Sequence, residues 1–103
     1  MAEYKVTERP DREPTHPGAI LRHDILPALG LKPAAFARHI GVSRQLLNKI
    51  IRATDPSPVS PEMALRIGRA CGNGPIPWLN LQRNYDLWHA AKKVDIEGIE
   101  VAA

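Results

Sequence analysis

One cysteine in 103 residues leaves no partner for an internal disulfide, which fits a reducing compartment. Cys71 lies within an apolar helical pattern, and this suits a core position better than a reactive thiol. No apolar run approaches the length of a membrane span, and the opening MAEYKVTERPDREPTHPG lacks the apolar stretch of a signal peptide. The protein is therefore expected to stay in the cytoplasm. Metal-ligand spacing is missing too. The histidines at 16, 23, 39 and 89 show no pattern with cysteine or carboxylates, and no glycine-rich phosphate loop follows a strand. Catalysis, cofactor and metal have nothing to stand on. Ser43 has no base arranged near it, and His39 beside Arg38 reads as a surface residue. Acids are the most telling absence, because no Asp or Glu occurs from Ile25 to Thr54, while Lys32, Arg38, Arg44, Lys49 and Arg52 all do. A basic window free of acids favours a polyanionic partner.

Formal charge is only +3, and its distribution is uneven. Met1 to His16 carries Glu3, Glu8, Asp11 and Glu13, and the last ten residues carry Asp95, Glu97 and Glu100. Acidic ends make poor DNA arms. The length has room for one domain, and 44% hydrophobic residues supply a modest core. The charge- and proline-rich segment 1–15 reads as a mobile leader, 16–93 as the domain and 94–103 as a tail.

The hydrophobic pattern predicts an all-α fold of five helices. The first starts at Pro17 and runs through Ile20, Leu21, Ile25 and Leu26 until Pro27 and Gly30 disrupt it. The second presents Phe36, Ala37 and Ile40 to the core and stops at Gly41, where the backbone needs a positive φ. Val42 gives a buried anchor and Ser43 an N-cap for the third, whose inner face is Leu46, Leu47 and Ile50. Outward there remain Arg44, Gln45, Asn48, Lys49 and Arg52. Arg and Lys contact guanine edges or phosphate, and Gln and Asn pair bidentately with adenine. The N-terminal turn of such a helix enters the major groove. A plain helical hairpin with a solvated basic face would require Ala37, Gly41 and Ser43 to fall in register with the apolar pattern by coincidence.

The fourth helix is capped by Ser60, opens with Pro61 and Glu62, buries Met63, Ala64, Ile67, Ala70 and Cys71, and ends at Gly72. The fifth runs from about Pro75 to Lys93. Trp78, Leu81, Tyr85 and Trp88 share one of its faces, with Leu79 and Leu87 pointing elsewhere. That aromatic face either packs on helix one or is covered by a second copy.

Three stretches carry a family likeness: HPGAILRHDILPALGL from His16 to Leu31, GVSRQLLNKII from Gly41 to Ile51, and SPEMALRIGRACGNGPIPWLNLQRNYDLWHA from Ser60 to Ala90. The chain resembles the lambda-repressor-like (XRE) helix-turn-helix superfamily, and the flanking motifs resemble HigA-type antitoxins of bacterial toxin–antitoxin modules. The resemblance implies a homodimer on double-stranded operator DNA with an inverted repeat. It also implies repression of its own operon and neutralisation of a RelE-like ribonuclease, HigB. The DNA-binding set is then Ser43, Arg44, Gln45, Asn48, Lys49 and Arg52, joined by Lys32 and Arg38. Candidate toxin surfaces are Tyr4 to Val6, the outer sides of the first and fifth helices, and the tail, where Ile96, Ile99 and Val101 could add a strand. Two departures stand out. Lys32 and Pro33 replace the usual capping hydroxyl and glutamine before the second helix, and Asp55, Pro56 and Pro58 fill a loop that is usually short and glycine-containing. A stand-alone transcriptional regulator is the alternative reading, and an assembly module without DNA binding is a weaker one.

Overall fold

The computed structural model describes residues 12–102, so Tyr4 to Val6 and most of the leader lie outside the described residues. Five helices follow one another. Helix α1, residues 17–29, comprises an α-helical turn Pro17–Ile20, a π-helical segment Leu21–Ile25 and a final turn Leu26–Leu29. Then come α2 (Pro33–Ile40), α3 (Arg44–Ile51), α4 (Pro61–Cys71) and α5 (Ile76–Lys93). No strand occurs among the described residues.

Of the two residues expected to disrupt α1, Pro27 is accommodated within a distorted helix and Gly30 ends it. Proline lacks an N–H and its ring collides with the carbonyl four residues back in a regular helix. Here the preceding turn widens, so that the Leu26 N–H bonds to the Leu21 carbonyl five residues back, and the helix carries Pro27 inside it. The stop comes at Gly30, with φ 68°.

The core gathers Leu21 and Leu26 from α1, Phe36, Ala37 and Ile40 from α2, and Leu47, Ile50 and Ile51 from α3. Val59 of the linker, Met63, Ala64 and Ile67 of α4, and Trp78 of α5 complete it. Val42 and Cys71 are only partly buried against this cluster, and burial pushes the Cys71 thiol pKa up. Helix α1 packs on α3 and α5, α2 on α3 and α4, and α4 on α5. Buried Gln82 fastens the linker to α5: its Oε1 accepts the Val59 N–H at 2.8 Å, and its Nε2 donates to Asp86 Oδ1 at 2.9 Å.

The aromatic face of α5 is spent largely within the protomer. Trp78 is fully buried and its Nε1 donates to Asn73 Oδ1 at 3.0 Å, while Leu81 packs against the core. Tyr85 meets His16 edge-on at 4.8 Å, and Trp88 lies beside His89 and under the Lys92 ammonium. As a surface for a second copy, Trp78 is thus withdrawn into the core, whereas Leu81 is only partly buried. Beyond α5 the described tail forms neither helix nor strand, and Val94, Ile96, Ile99 and Val101 are exposed.

Candidate nucleic-acid interface

Ser43 begins the site. Its backbone is extended (φ −71°, ψ 152°) and its Oγ accepts the Leu46 N–H at 3.0 Å, satisfying one of the free donors at the start of α3. The inward stripe of α3 is Leu47, Ile50 and Ile51. Leu46, expected inside, is 39% exposed instead. At about 100° per residue it lies roughly a quarter turn from the centre of that stripe, and Ile51 takes the inner place.

Turning α3 this way leaves Arg44, Gln45, Asn48 and Lys49 exposed. None of these four side chains makes a hydrogen bond or ion pair to another described residue. Arg52 differs. It terminates the helix, and its guanidinium turns back on the following loop, with Nε donating to the Asp55 carbonyl at 2.8 Å and Nη2 lying 3.9 Å from the Asp55 carboxylate. Asp55 itself sits at φ 51°, so the proline-rich loop takes a left-handed turn that this arginine braces. Lys32 and Arg38 are exposed on α2. Lys32 occupies its N-cap with no side-chain cap, and Pro33 follows at the first position, where the missing N–H costs nothing.

The turn between α2 and α3 closes on Gly41, at φ 79° and ψ 33°. The Val42 N–H reaches the Ala37 carbonyl at 3.0 Å, and the Gly41 N–H reaches the Arg38 carbonyl at 3.3 Å, a helix end that requires a left-handed residue. Sequence reasoning found this turn but missed what braces it. Arg66 of α4 donates through Nη1 to the Ile40 carbonyl at 2.8 Å and to that of Gly41 at 3.4 Å, while Nε and Nη2 hold Glu62 at 3.2 and 3.1 Å. An arginine from a helix remote in sequence thus satisfies the carbonyls that α2 leaves open.

The far end of α3 is held by two further residues that sequence reasoning did not single out. Arg22 of α1 donates to the Ile51 carbonyl, and the Ser57 N–H donates to that of Lys49 at 2.8 Å. Gly18 lets the start of α1 approach closely, since a Cβ there would stand 1.9 Å from the Ile50 carbonyl oxygen. The His-Pro-Gly triplet was the available signal for this contact. His16 caps α1, its Nδ1 accepting the Gly18 N–H at 2.9 Å, and its buried Nε2 has no hydrogen-bond partner among the described residues. Burial pushes the His16 imidazole pKa below its ordinary value, against the opposing pull of the Asp86 and Glu13 carboxylates.

The result is a short helix fixed at both ends, whose free edge carries two cations and two amides, with no acid in either α2 or α3. That edge can donate to phosphate and base edges. Among the described residues, no group of three His, Cys, Asp or Glu could hold a metal, and no helix is long and apolar enough to cross a membrane.

Five helices with this glycine turn and capped third helix define a helix-turn-helix domain of the lambda-repressor-like kind. No family model matches the chain. Among solved structures, the Pseudomonas aeruginosa antitoxin HigA with the higBA promoter is 37% identical, with a TM-score of 0.76 over 88% of this chain and 100% of that one. An addiction module antidote protein of the HigA family from Coxiella burnetii is 28% identical, with a TM-score of 0.78 over 89% and 100%. Among curated proteins, virulence-associated protein I of Dichelobacter nodosus is 39% identical over 72 residues, 70% of this chain and 65% of that protein. The chain spans a little under two thirds of that relative. It belongs to the HigA antitoxin family.

Proposed function

We propose that this protein is an antitoxin that binds operator DNA as a homodimer, represses its own toxin–antitoxin operon and neutralises a HigB/RelE-like ribonuclease toxin by direct binding. The observation that carries the reading is the unengaged edge of Arg44, Gln45, Asn48 and Lys49 on a helix capped by Ser43 at its start and clamped by Arg22 at its end. The solved Pseudomonas relative with its promoter supports it. In this reading Ser43 fixes the start of the helix, and Arg44, Gln45 and Asn48 read base edges. Lys49, Lys32 and Arg38 take phosphates, and Arg52 adds charge from the loop it braces. Residues 16–93 form the DNA-binding unit, 1–15 a leader and 94–103 a tail. The protein works by binding rather than catalysis, and in the cytoplasm.

A duplex selected from a random library with the wild-type protein serves as probe. Arg44→Ala and Asn48→Ala each lower specific affinity by about 1–3 kcal/mol and relax base preference, because each removes a base-edge contact. Unchanged affinity in both variants defeats the assignment. Co-expression with the adjacent reading frame, followed by pull-down and growth rescue, tests the toxin. Operator binding without any toxin partner would leave a stand-alone regulator.

A further inference from the structure

The last three carbonyls of α3 are each held from outside the helix. The Ser57 N–H donates to that of Lys49 at 2.8 Å, and Arg22 donates to that of Ile51. Between them Gly18 packs against that of Ile50, where a Cβ would stand 1.9 Å from the oxygen. All three holders bear on His16. Its Nδ1 accepts the Gly18 N–H at 2.9 Å and so fixes where Gly18 lies, while the Ser57 carbonyl and the Arg22 charge face the same ring. His16 is only 6% exposed. A ring that accepts through Nδ1 is neutral and carries its proton on Nε2. That nitrogen is buried and has no hydrogen-bond partner among the described residues.

We propose that His16 is a proton sensor: protonation of its ring loosens the far end of the recognition helix and releases the operator in acid. The proposal rests on the reading of the protein as an operator binder and adds a signal that regulates it. A proton on Nδ1 turns an acceptor into a donor, so that two N–H groups confront each other at the start of α1. The ring must turn or Gly18 must withdraw, and either movement takes α1 off the Ile50 carbonyl. Burial resists the charged ring most. Asp86 of α5, the Ser57 carbonyl of the loop and Glu13 ahead of α1 favour it, and Arg22 of α1 opposes it. Tyr85 of α5 meets the ring edge-on, and Arg52 lines the adjoining cavity. Neither carboxylate is bonded to His16, since Asp86 accepts from Gln82 and Glu13 contacts His89. The imidazolium thus has no partner waiting, and its proton favours the loosened state. Release in acid is opposite to simple electrostatics, because a proton on any exposed histidine brings positive charge to a polyanion and tightens binding.

Fluorescence anisotropy with the selected duplex, read from about pH 7.5 to 5.5 at constant ionic strength, tests the proposal. Wild type loses affinity by about fivefold or more over that range. His16→Asn, whose amide oxygen caps Gly18 without titrating, does not. The triple variant H23Q/H39Q/H89Q keeps the wild-type loss, because none of those rings caps α1. NMR of the wild type follows the same event without any variant. The amides of Gly18, Lys49, Ile50, Ile51 and Ser57 shift with the midpoint of the His16 ring, which lies below 6.5. Equal pH responses in wild type and His16→Asn, or α3 amides that ignore the His16 midpoint, overturn the proposal. A wild type that enriches no duplex at neutral pH sinks the operator reading and the proposal with it. A duplex bound with a pH response that H16N leaves unchanged sinks the proposal alone.

Discussion

Replacing Gly18 by alanine sets two physical effects against each other. Helix propensity by itself favours alanine by up to about 1 kcal/mol. Packing opposes it, because the new methyl group would lie 1.9 Å from the Ile50 carbonyl oxygen and 2.8 Å from the carbonyl carbon. Ordinary contact begins near 3.4 Å, so α1 and α3 would have to part by about 1.5 Å. Neither obstacle is the movable end of a side chain. Separation also strains the Arg22 bond to the Ile51 carbonyl and loosens Leu21 from Leu47 and Ile50. Overpacking against backbone at this depth costs about 3 kcal/mol. For a domain of this size that corresponds to a fall in Tm of roughly 10–20 °C. Circular dichroism melts of G18A beside Gly98→Ala, where an added methyl meets open space, provide the comparison. Gly98→Ala should melt with wild type. If G18A does as well, the close approach of α1 to the recognition helix is wrong.

Other outcomes follow from the same geometry. Arg66→Ala removes the donors from the Ile40 and Gly41 carbonyls, which should cost about 1–2 kcal/mol in a urea titration and weaken operator binding by loosening the turn before α3. Gly41→Val should lower Tm more, since valine tolerates φ 79° badly and its Cβ would meet Arg66 Nη1 at 2.9 Å. Lys49→Ala should weaken binding evenly across duplex sequences and reduce the salt slope by about one, as read from anisotropy titrations at several salt concentrations. His16 has a folded pKa lowered by burial, so the unfolded chain binds more protons as pH falls. Its stabilising share is complete above the ordinary value of 6.5 and is lost as pH drops through the folded value. Wild type should therefore lose more Tm between pH 7.5 and 5 than His16→Asn, which keeps a capping group without an imidazole.

Much of the fold was legible because its punctuation is local. Ser43 and Ser60 accept the hydrogen bonds that their N-cap positions suggested, and Gly41 and Gly72 stand at positive φ where helices were expected to stop. The outward placement of Arg44, Gln45, Asn48 and Lys49 follows from the same helical period. Pro27 misled because a widened turn upstream absorbs its defect, and nothing in the sequence announces such a turn. Leu46, expected inside, is exposed and Ile51 is buried, because a short helix leaves the edge of its stripe to its neighbours. Arg22, Arg66 and Gln82 could not be found by periodicity. Each is a polar residue whose partner lies more than twenty positions away, so that only the folded chain brings donor and acceptor together.

The clamps at the end of α3 and on the turn before it separate what the protein says from how it stands. Arg22, Ser57 and Arg66 grip backbone carbonyls, which every amino acid supplies, and leave the four outward side chains uninvolved. Exchanges at exposed positions of this kind usually change stability by no more than about 0.5 kcal/mol. In the proposed reading, the sequence preference can therefore be rewritten at 44, 45 and 48, three letters of an address, without renegotiating the architecture.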